Sequence, residues 1–98
     1  MAGINKYTVN ESSNVALGQS GAKFISDTAV HSGTFVAITM LEDTVFNVLT
    51  PTDTTNGYGV GSYNGNTMAS ETIPQGVTIY GRWNSIDLTS GLVIAYLG

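Results

Sequence analysis

The sequence contains a single histidine, His31. Histidine is the residue type whose ordinary pKa suits a general base near neutral pH. His31 lies close in sequence to Ser26, Asp27 and Ser32, and a hydrolase triad uses these three residue types. In such enzymes the groups converge in space beside an oxyanion hole, and the G-x-S-x-G turn that often presents the serine does not occur here. We therefore predict an exposed or capping histidine before Gly33 and no catalytic triad.

Acidic residues give no stronger case for catalysis. Glu42 and Asp43 are sequence neighbours whose side chains point apart, so a solvated turn is the favoured interpretation. Glu71 and Asp87 could face each other across strands or be separate surface charges. The chain has no cysteine and no D-x-[DN]-x-[DN]-G run, and the glycine-rich stretch 57–65 lacks the Lys-Ser/Thr of a phosphate loop. We expect no enzyme activity, no metal site and no cofactor.

Aromatic residues are the remaining candidates for a site. Tyr58, Tyr63, Tyr80, Trp83 and Tyr96 stand among neutral polar residues, a composition that suits protein contact surfaces and can also stack on sugars. We interpret Trp83 and Tyr96 first as core or subunit-interface residues. For Tyr58 and Tyr63 the sequence leaves both partner contact and loop packing open.

Charged residues are scarce in a chain of this length. The 98 residues suit one domain, and they include three basic and seven acidic side chains, with a net charge of −4. A share of 10% charged residues compares with about a quarter in typical proteins. The chain lacks the basic stripe that nucleic acid or an anionic membrane would attract, so we expect neither partner. Without disulfides, oligomerisation or docking on a larger partner is the most direct reinforcement.

Neither secretion nor membrane insertion is indicated by the sequence. Residues 1–14 lack the apolar core of a secretion signal. No stretch approaches the ~20 apolar residues that a membrane-spanning helix requires. We therefore expect no classical secretion and no membrane partner.

Short apolar groups separated by Gly, Pro and Asn predict an all-β fold, as a small β-sandwich, a jelly-roll-like domain or a barrel. Residues 1–33 are predicted to be an N-terminal arm with short edge strands, or an arm that orders only on contact with a neighbour. Residues 34–98 form the predicted β-domain core. The residues predicted to contact partners are Ile4, Tyr7 and Val9 in the arm, and Tyr58, Tyr63, Arg82 and Tyr96 in the core.

The strong strand signals fall into two predicted hairpins. Residues 34–41 and 44–50 would pair around the acidic turn. Residues 77–88 and 92–97 would pair through a turn at 89–91. Residues 52–66 between them are predicted to be a long loop, because they carry four glycines and no continuous apolar face.

The alternation of apolar residues changes phase inside the longest predicted strand. Ile79 and Trp83 occupy odd positions, whereas Ile86 and Leu88 occupy even ones. A bulge near residues 84–85 would turn both Trp83 and Ile86 inward. Residues 92–97 are apolar on both faces, so we expect that strand to be central or covered by a neighbouring subunit. That pattern predicts a homo-oligomer.

The blocks GTFVAITMLEDTVF and SETIPQGVTIYGRWNSIDLTSGLVIAYLG resemble small virion proteins of tailed bacteriophages, and are similar in style to capsid decoration (cement) proteins. The resemblance covers residues 33–98 and consists of strand and turn patterns. It implies a non-enzymatic β-domain, a trimer in the favoured form, bound to the major capsid protein on the capsid surface of a virion. It assigns no individual binding residue.

A second function class stays open from the same residues. The chain could be a receptor- or glycan-binding module of a phage tail fibre or adhesin, with Tyr58, Tyr63 and the loop between them as the binding platform.

Overall fold

The computed structural model describes residues 21–98, and residues 1–20, with the predicted contacts Ile4, Tyr7 and Val9, lie outside the described part. Six strands occur in residues 21–98, and no helix does. The all-β prediction is confirmed. The strands are β1 Ala22–Ile25, β2 His31–Met40, β3 Thr44–Pro51, β4 Thr72–Ile73, β5 Thr78–Ser90 and β6 Val93–Leu97.

All six strands belong to one antiparallel sheet with the order β1-β6-β2-β5-β3-β4. Both predicted hairpins are therefore wrong. Strand β5 lies between β2 and β3, and strand β2 lies between β5 and β6. Strand β6 is interior to the sheet, between β1 and β2, which agrees with the expectation that it is central.

Backbone hydrogen bonds explain why the acidic turn does not close a hairpin. The amide of Met40 donates to the carbonyl of Val77 at 2.9 Å, and the amide of Leu41 donates to the carbonyl of Leu92 at 2.8 Å. The end of β2 is thus bonded to the segments that precede β5 and β6. Turn-forming residues predict that the chain reverses, but they do not select the strand that lies alongside.

One face of the sheet, called here the inner face, carries the hydrophobic core. Five of the six strands contribute to it, because a sheet must bury one apolar face to be stable. The segment between β3 and β4, residues 52–71 and here called the covering loop, adds Tyr58, Val60 and Met68 against this cluster. The buried cluster consists of Ile25, Phe35, Ile38, Met40, Phe46, Leu49, Trp83, Ile86, Leu88, Val93 and Ala95.

The predicted bulge in the long strand is confirmed by the strand register. Thr50 pairs with Ser85, whereas the next residue of β3, Pro51, pairs with Trp83. Asn84 is therefore an extra residue of β5 at this point, and an extra residue inverts the alternation that follows it. Trp83 and Ile86, three residues apart, are both buried in the core as a result.

The covering loop approaches strand β3 too closely for a side chain at Gly59. The amide of Val60 donates to the carbonyl of Leu49 at 2.9 Å, and the amide of Met68 donates to the carbonyl of Gly59 at 2.9 Å. A Cβ atom on Gly59 would overlap the Leu49 carbonyl oxygen. Backbone at that position cannot yield as a flexible side chain can, so glycine is required there.

We predict that Gly59→Ala destabilises the fold by about 2 kcal/mol or more, because the loop must move off β3 to admit the methyl group. Urea unfolding followed by tryptophan fluorescence measures this free energy. Ser62→Ala, an exposed change in the same loop, is the control and should stay within about 0.5 kcal/mol of the parent chain. Equal stability of the two variants would show that the loop is not packed against β3.

Candidate functional site

His31 is engaged with a carboxylate at the surface and has no hydrolase partner in residues 21–98. Its Nε2 atom lies 2.8 Å from Oδ1 of Asp27. This hydrogen bond, and a second one from the amide of Ala29, hold the pKa of the exposed Asp27 carboxyl below its usual value. No serine hydroxyl among the described residues bonds to the imidazole. The pair joins the turn before β2 to the start of that strand.

The acidic residues do not form a catalytic or metal-binding cluster within the described part of the chain. Glu71 immediately precedes β4, and Asp87 lies on β5. Strand β3 separates β4 from β5 in the sheet, so these two carboxylates do not face each other on neighbouring strands. Asp87 is buried and accepts a hydrogen bond from Asn47 Nδ2 at 2.9 Å. Asp43 accepts one from the amide of Gln75 at 2.9 Å. Residues 21–98 hold no group of three His, Cys, Asp or Glu side chains suited to a metal ion.

Tyr58 packs against Trp83 and fixes the start of the covering loop. The two rings meet edge to face, with centroids 5.5 Å apart and an interplanar angle of 89°, a favoured aromatic geometry. The Tyr58 hydroxyl donates to the carbonyl of Tyr80 at 2.6 Å, and Trp83 Nε1 donates to the carbonyl of Tyr58 at 2.8 Å. Burial raises the pKa of the Tyr58 hydroxyl. Tyr58 therefore acts in loop packing.

Tyr63 also lies within the covering loop, partly buried. Its ring is close to Gly61, where an added Cβ would come within 2.8 Å of the tyrosine Cε2 atom. The amide of Tyr63 donates to the carbonyl of Gly61 at 3.0 Å.

A surface pocket of about 240 Å³ opens between the covering loop and β5. Loop residues form one wall and the β5 segment 81–83 forms the other. Arg82 is exposed, and it forms no ion pair with any residue in 21–98. The lining residues are Asp53, Asn56, Gly57, Tyr58, Gly81, Arg82 and Trp83.

The face of the sheet opposite the core is called here the outer face, and strand register places two rows of residues on it. Directly paired residues of neighbouring strands share a face. One row runs across β1, β6, β2 and β5 as Ala22, Tyr96, Ala37 and Tyr80. The adjacent row runs as Phe24, Ile94, Thr39 and Thr78.

Four members of these rows, Phe24, Tyr80, Ile94 and Tyr96, form what is called here the outer-face patch. Phe24 is 61% exposed and Tyr80 63% exposed, while Ile94 and Tyr96 are partly buried between them. The two rows contain no charged residue. The hydroxyls of Thr39 and Thr78 lie 2.9 Å apart and form a hydrogen bond with each other. Burying them under a partner would therefore leave neither hydroxyl without a hydrogen-bond partner.

Comparison with protein-family models, with curated proteins and with solved structures finds no match to this chain. No helix long and apolar enough to cross a membrane is present among the described residues.

The structure separates the predicted contact residues into three places. Tyr96 belongs to the outer-face patch, Arg82 lines the pocket, and Tyr58 and Tyr63 pack in the covering loop. Sequence reasoning missed Phe24. The alternation in Ala22–Ile25 was the available signal, because it places Phe24 opposite in direction to the buried Ile25.

We predict that Tyr58→Phe lowers the free energy of unfolding by about 1 kcal/mol, because it removes the hydroxyl that donates to the Tyr80 carbonyl. Tyr63→Phe is the same chemical change at a hydroxyl with no hydrogen bond to the described residues, and should change stability by less than about 0.5 kcal/mol. Midpoints of urea unfolding for the two variants compare these effects. An equal loss in both would contradict the packing role assigned to Tyr58.

Proposed function

We propose that this chain is a structural virion protein that decorates and stabilises a tailed-bacteriophage capsid through protein–protein contacts. The outer-face patch is the observation that carries the proposal, since two aromatic side chains there are more than half exposed beside partly buried apolar neighbours. Contiguous exposed apolar surface marks interaction sites. The low charge content further supports contacts with protein, because neutral surfaces lose little hydration on binding.

The occupant proposed for the outer-face patch is a second copy of the same chain. With a net charge of −4, two copies repel each other least when they meet through surfaces free of acidic residues. The two rows of the outer face meet that condition. Four strands at about 4.8 Å spacing and two rows about 7 Å apart give a patch of roughly 250 Å². A standard interface buries about 800 Å² per partner, so flanking residues must contribute. A trimer is the favoured assembly because the resemblance to capsid decoration proteins implies one.

The sandwich, jelly-roll-like or barrel form of the domain is part of the same proposal. Buried residues from β1, β2, β3, β5 and β6 form one cluster, which supports a sheet that curves around its core. Strand β5, with 13 residues, pairs with both β2 and β3 and has register shifts against each. Such shifts bend strands and increase sheet curvature.

Contact with the major capsid protein is proposed for residues 1–20 of the predicted N-terminal arm 1–33, together with surface left free by the trimer, because residues 22–25 and 31–33 belong to strands β1 and β2. This placement uses the predicted contacts Ile4, Tyr7 and Val9, which lie outside the described residues. Strand β1, the first strand of the described residues, lies at one edge of the sheet.

For the oligomer, we predict that replacing Phe24 and Tyr80 by Ser converts an assembled chain into a monomer without a loss of fold stability. Both side chains are exposed in the single chain, so only association should suffer. Sedimentation velocity at micromolar concentration measures the mass. Val30→Ser is the control, since Val30 is 58% exposed but lies outside the patch. Sedimentation of the parent chain as a monomer would contradict the proposed oligomer.

For the capsid contact, we predict that deleting residues 1–20 abolishes binding to capsids that lack the chain, while strands β1–β6 still fold. Co-sedimentation with such capsids measures binding, and circular dichroism measures the fold. The Phe24 and Tyr80 double variant separates the two surfaces, because a monomer with its arm should still bind, though more weakly. Full capsid binding by the chain that lacks residues 1–20 would contradict the role proposed for the arm.

A further inference from the structure

The covering loop contains two Asn-Gly pairs, Asn56-Gly57 and Asn64-Gly65, and both asparagine side chains are exposed. In such a pair the amide nitrogen of the glycine can attack Cγ of the asparagine, because glycine has no Cβ atom to hinder the approach. The two pairs share the same chemistry and lie in the same loop. A difference in their reactivity would therefore come from how the fold holds each pair.

The fold engages both reacting groups of the first pair in hydrogen bonds to one residue. The amide of Gly57 donates to the carbonyl of Asp53 at 2.8 Å. Nδ2 of Asn56 donates to Oδ2 of Asp53 at 3.0 Å, and the Asn56 amide donates to Oδ1 of the same carboxylate at 3.1 Å. Attack by the Gly57 nitrogen and departure of Nδ2 would therefore each break a bond that the fold makes.

The space around the two glycines differs in the same direction. A Cβ atom on Gly57 would overlap Cβ of Pro51 and come within 2.6 Å of the Asp53 carbonyl oxygen. A Cβ atom on Gly65 would meet no atom within 4 Å. The backbone rotation that brings the glycine nitrogen to Cγ is therefore obstructed at Gly57, where neighbours must move, and unobstructed at Gly65.

The second pair leaves its attacking nitrogen without a hydrogen bond to the described residues. Gly65 is exposed, and its amide donates to no backbone carbonyl in residues 21–98. An amide outside the hydrogen bonds of the fold loses its proton to base more readily than a bonded one. Asn64 makes two bonds at 3.0 Å, from its amide to the Gly57 carbonyl and from Nδ2 to the Asn56 carbonyl. Only the Nδ2 bond involves a reacting group.

We propose that Asn64 is a site of spontaneous deamidation through attack of the Gly65 nitrogen, and that the fold protects Asn56 from the same reaction. A bond forms between Gly65 N and Asn64 Cγ, the Cγ–Nδ2 bond breaks, and Nδ2 leaves as ammonia with the proton of the Gly65 amide. Water then adds to one of the two carbonyl carbons of the cyclic imide, and the bond from that carbon to nitrogen breaks as the nitrogen takes a proton. The product is an aspartyl or isoaspartyl residue, and no oxidant or reductant is consumed.

Deamidation at Asn64 changes how the two halves of the covering loop are joined. The Nδ2 donor is replaced by a carboxylate oxygen, which accepts hydrogen bonds only and repels the Asn56 carbonyl that Nδ2 contacts. The reaction also makes the net charge of −4 one unit more negative. The covering loop therefore loosens around Asn64 while the sheet stays folded. This inference is independent of capsid decoration, since it uses no residue of the outer-face patch.

The test incubates the full folded chain in mildly alkaline buffer and follows both pairs by peptide mapping with mass spectrometry, beside a sample unfolded in guanidinium chloride. In the folded chain we expect Asn64 to react at least about tenfold faster than Asn56, because protecting bonds must break at Asn56. In the unfolded chain the two rates should be similar. Equal rates in the folded chain, or no reaction at Asn64, would overturn the proposal. A tenfold difference that persists on unfolding would contradict protection by the fold.

Asn64→Asp tests the consequence, because it produces the aspartyl product directly. We expect hydrogen exchange of the amide at position 64, which donates to the Gly57 carbonyl, to become about fivefold faster. Asn66→Asp is the matched control, since it adds the same charge two residues away at another exposed asparagine, and it should leave that exchange unchanged. Equal exchange in the two variants would contradict the loosening assigned to loss of the Nδ2 bond.

Discussion

The contact between Trp83 and Tyr58 joins the sheet to the loop that covers it, and the remaining structure depends on that contact. Residues 21–98 contain no helix to cover the apolar face of the sheet, so other backbone must do so. The indole N–H donates to the Tyr58 carbonyl, and the Tyr58 hydroxyl donates to the Tyr80 carbonyl. These bonds satisfy polar groups that loop packing would otherwise leave without partners.

Among residues 21–98, no segment covers the outer face as the covering loop covers the inner face. Phe24 and Tyr80 lie more than half exposed on the outer face, three strands apart in the sheet order. These side chains are exposed because the covering loop is the only long connection among the described strands, and it packs on the inner face. A small sheet protein of this kind gains most by burying its outer face against another chain.

The alternation of apolar and polar residues predicted the strands, and its change of phase predicted the bulge. Both features depend on residues that are close in sequence. The shift near Asn84 was visible in the odd and even positions of Trp83 and Ile86, and the register confirms it. Strand order was not visible, since it depends on long-range pairing in which β2 and β5 each take two neighbours. The same limit applies to the pocket, because Asp53 and Arg82 lie 29 positions apart in sequence and become neighbours only where β3 pairs with β5. At that point the amide of Thr52 donates to the carbonyl of Arg82 at 2.9 Å.

The outer-face patch and the pocket do not overlap, because neighbouring residues of β5 lie on opposite faces of the sheet. Tyr80 lies on the outer face, whereas Gly81 and Trp83 line the pocket on the side of the covering loop. Copies that meet through the outer face would therefore leave each pocket open to solvent. The two rows of the outer face carry no charged residue, so the contact proposed between copies would bring no acidic side chains of these rows together.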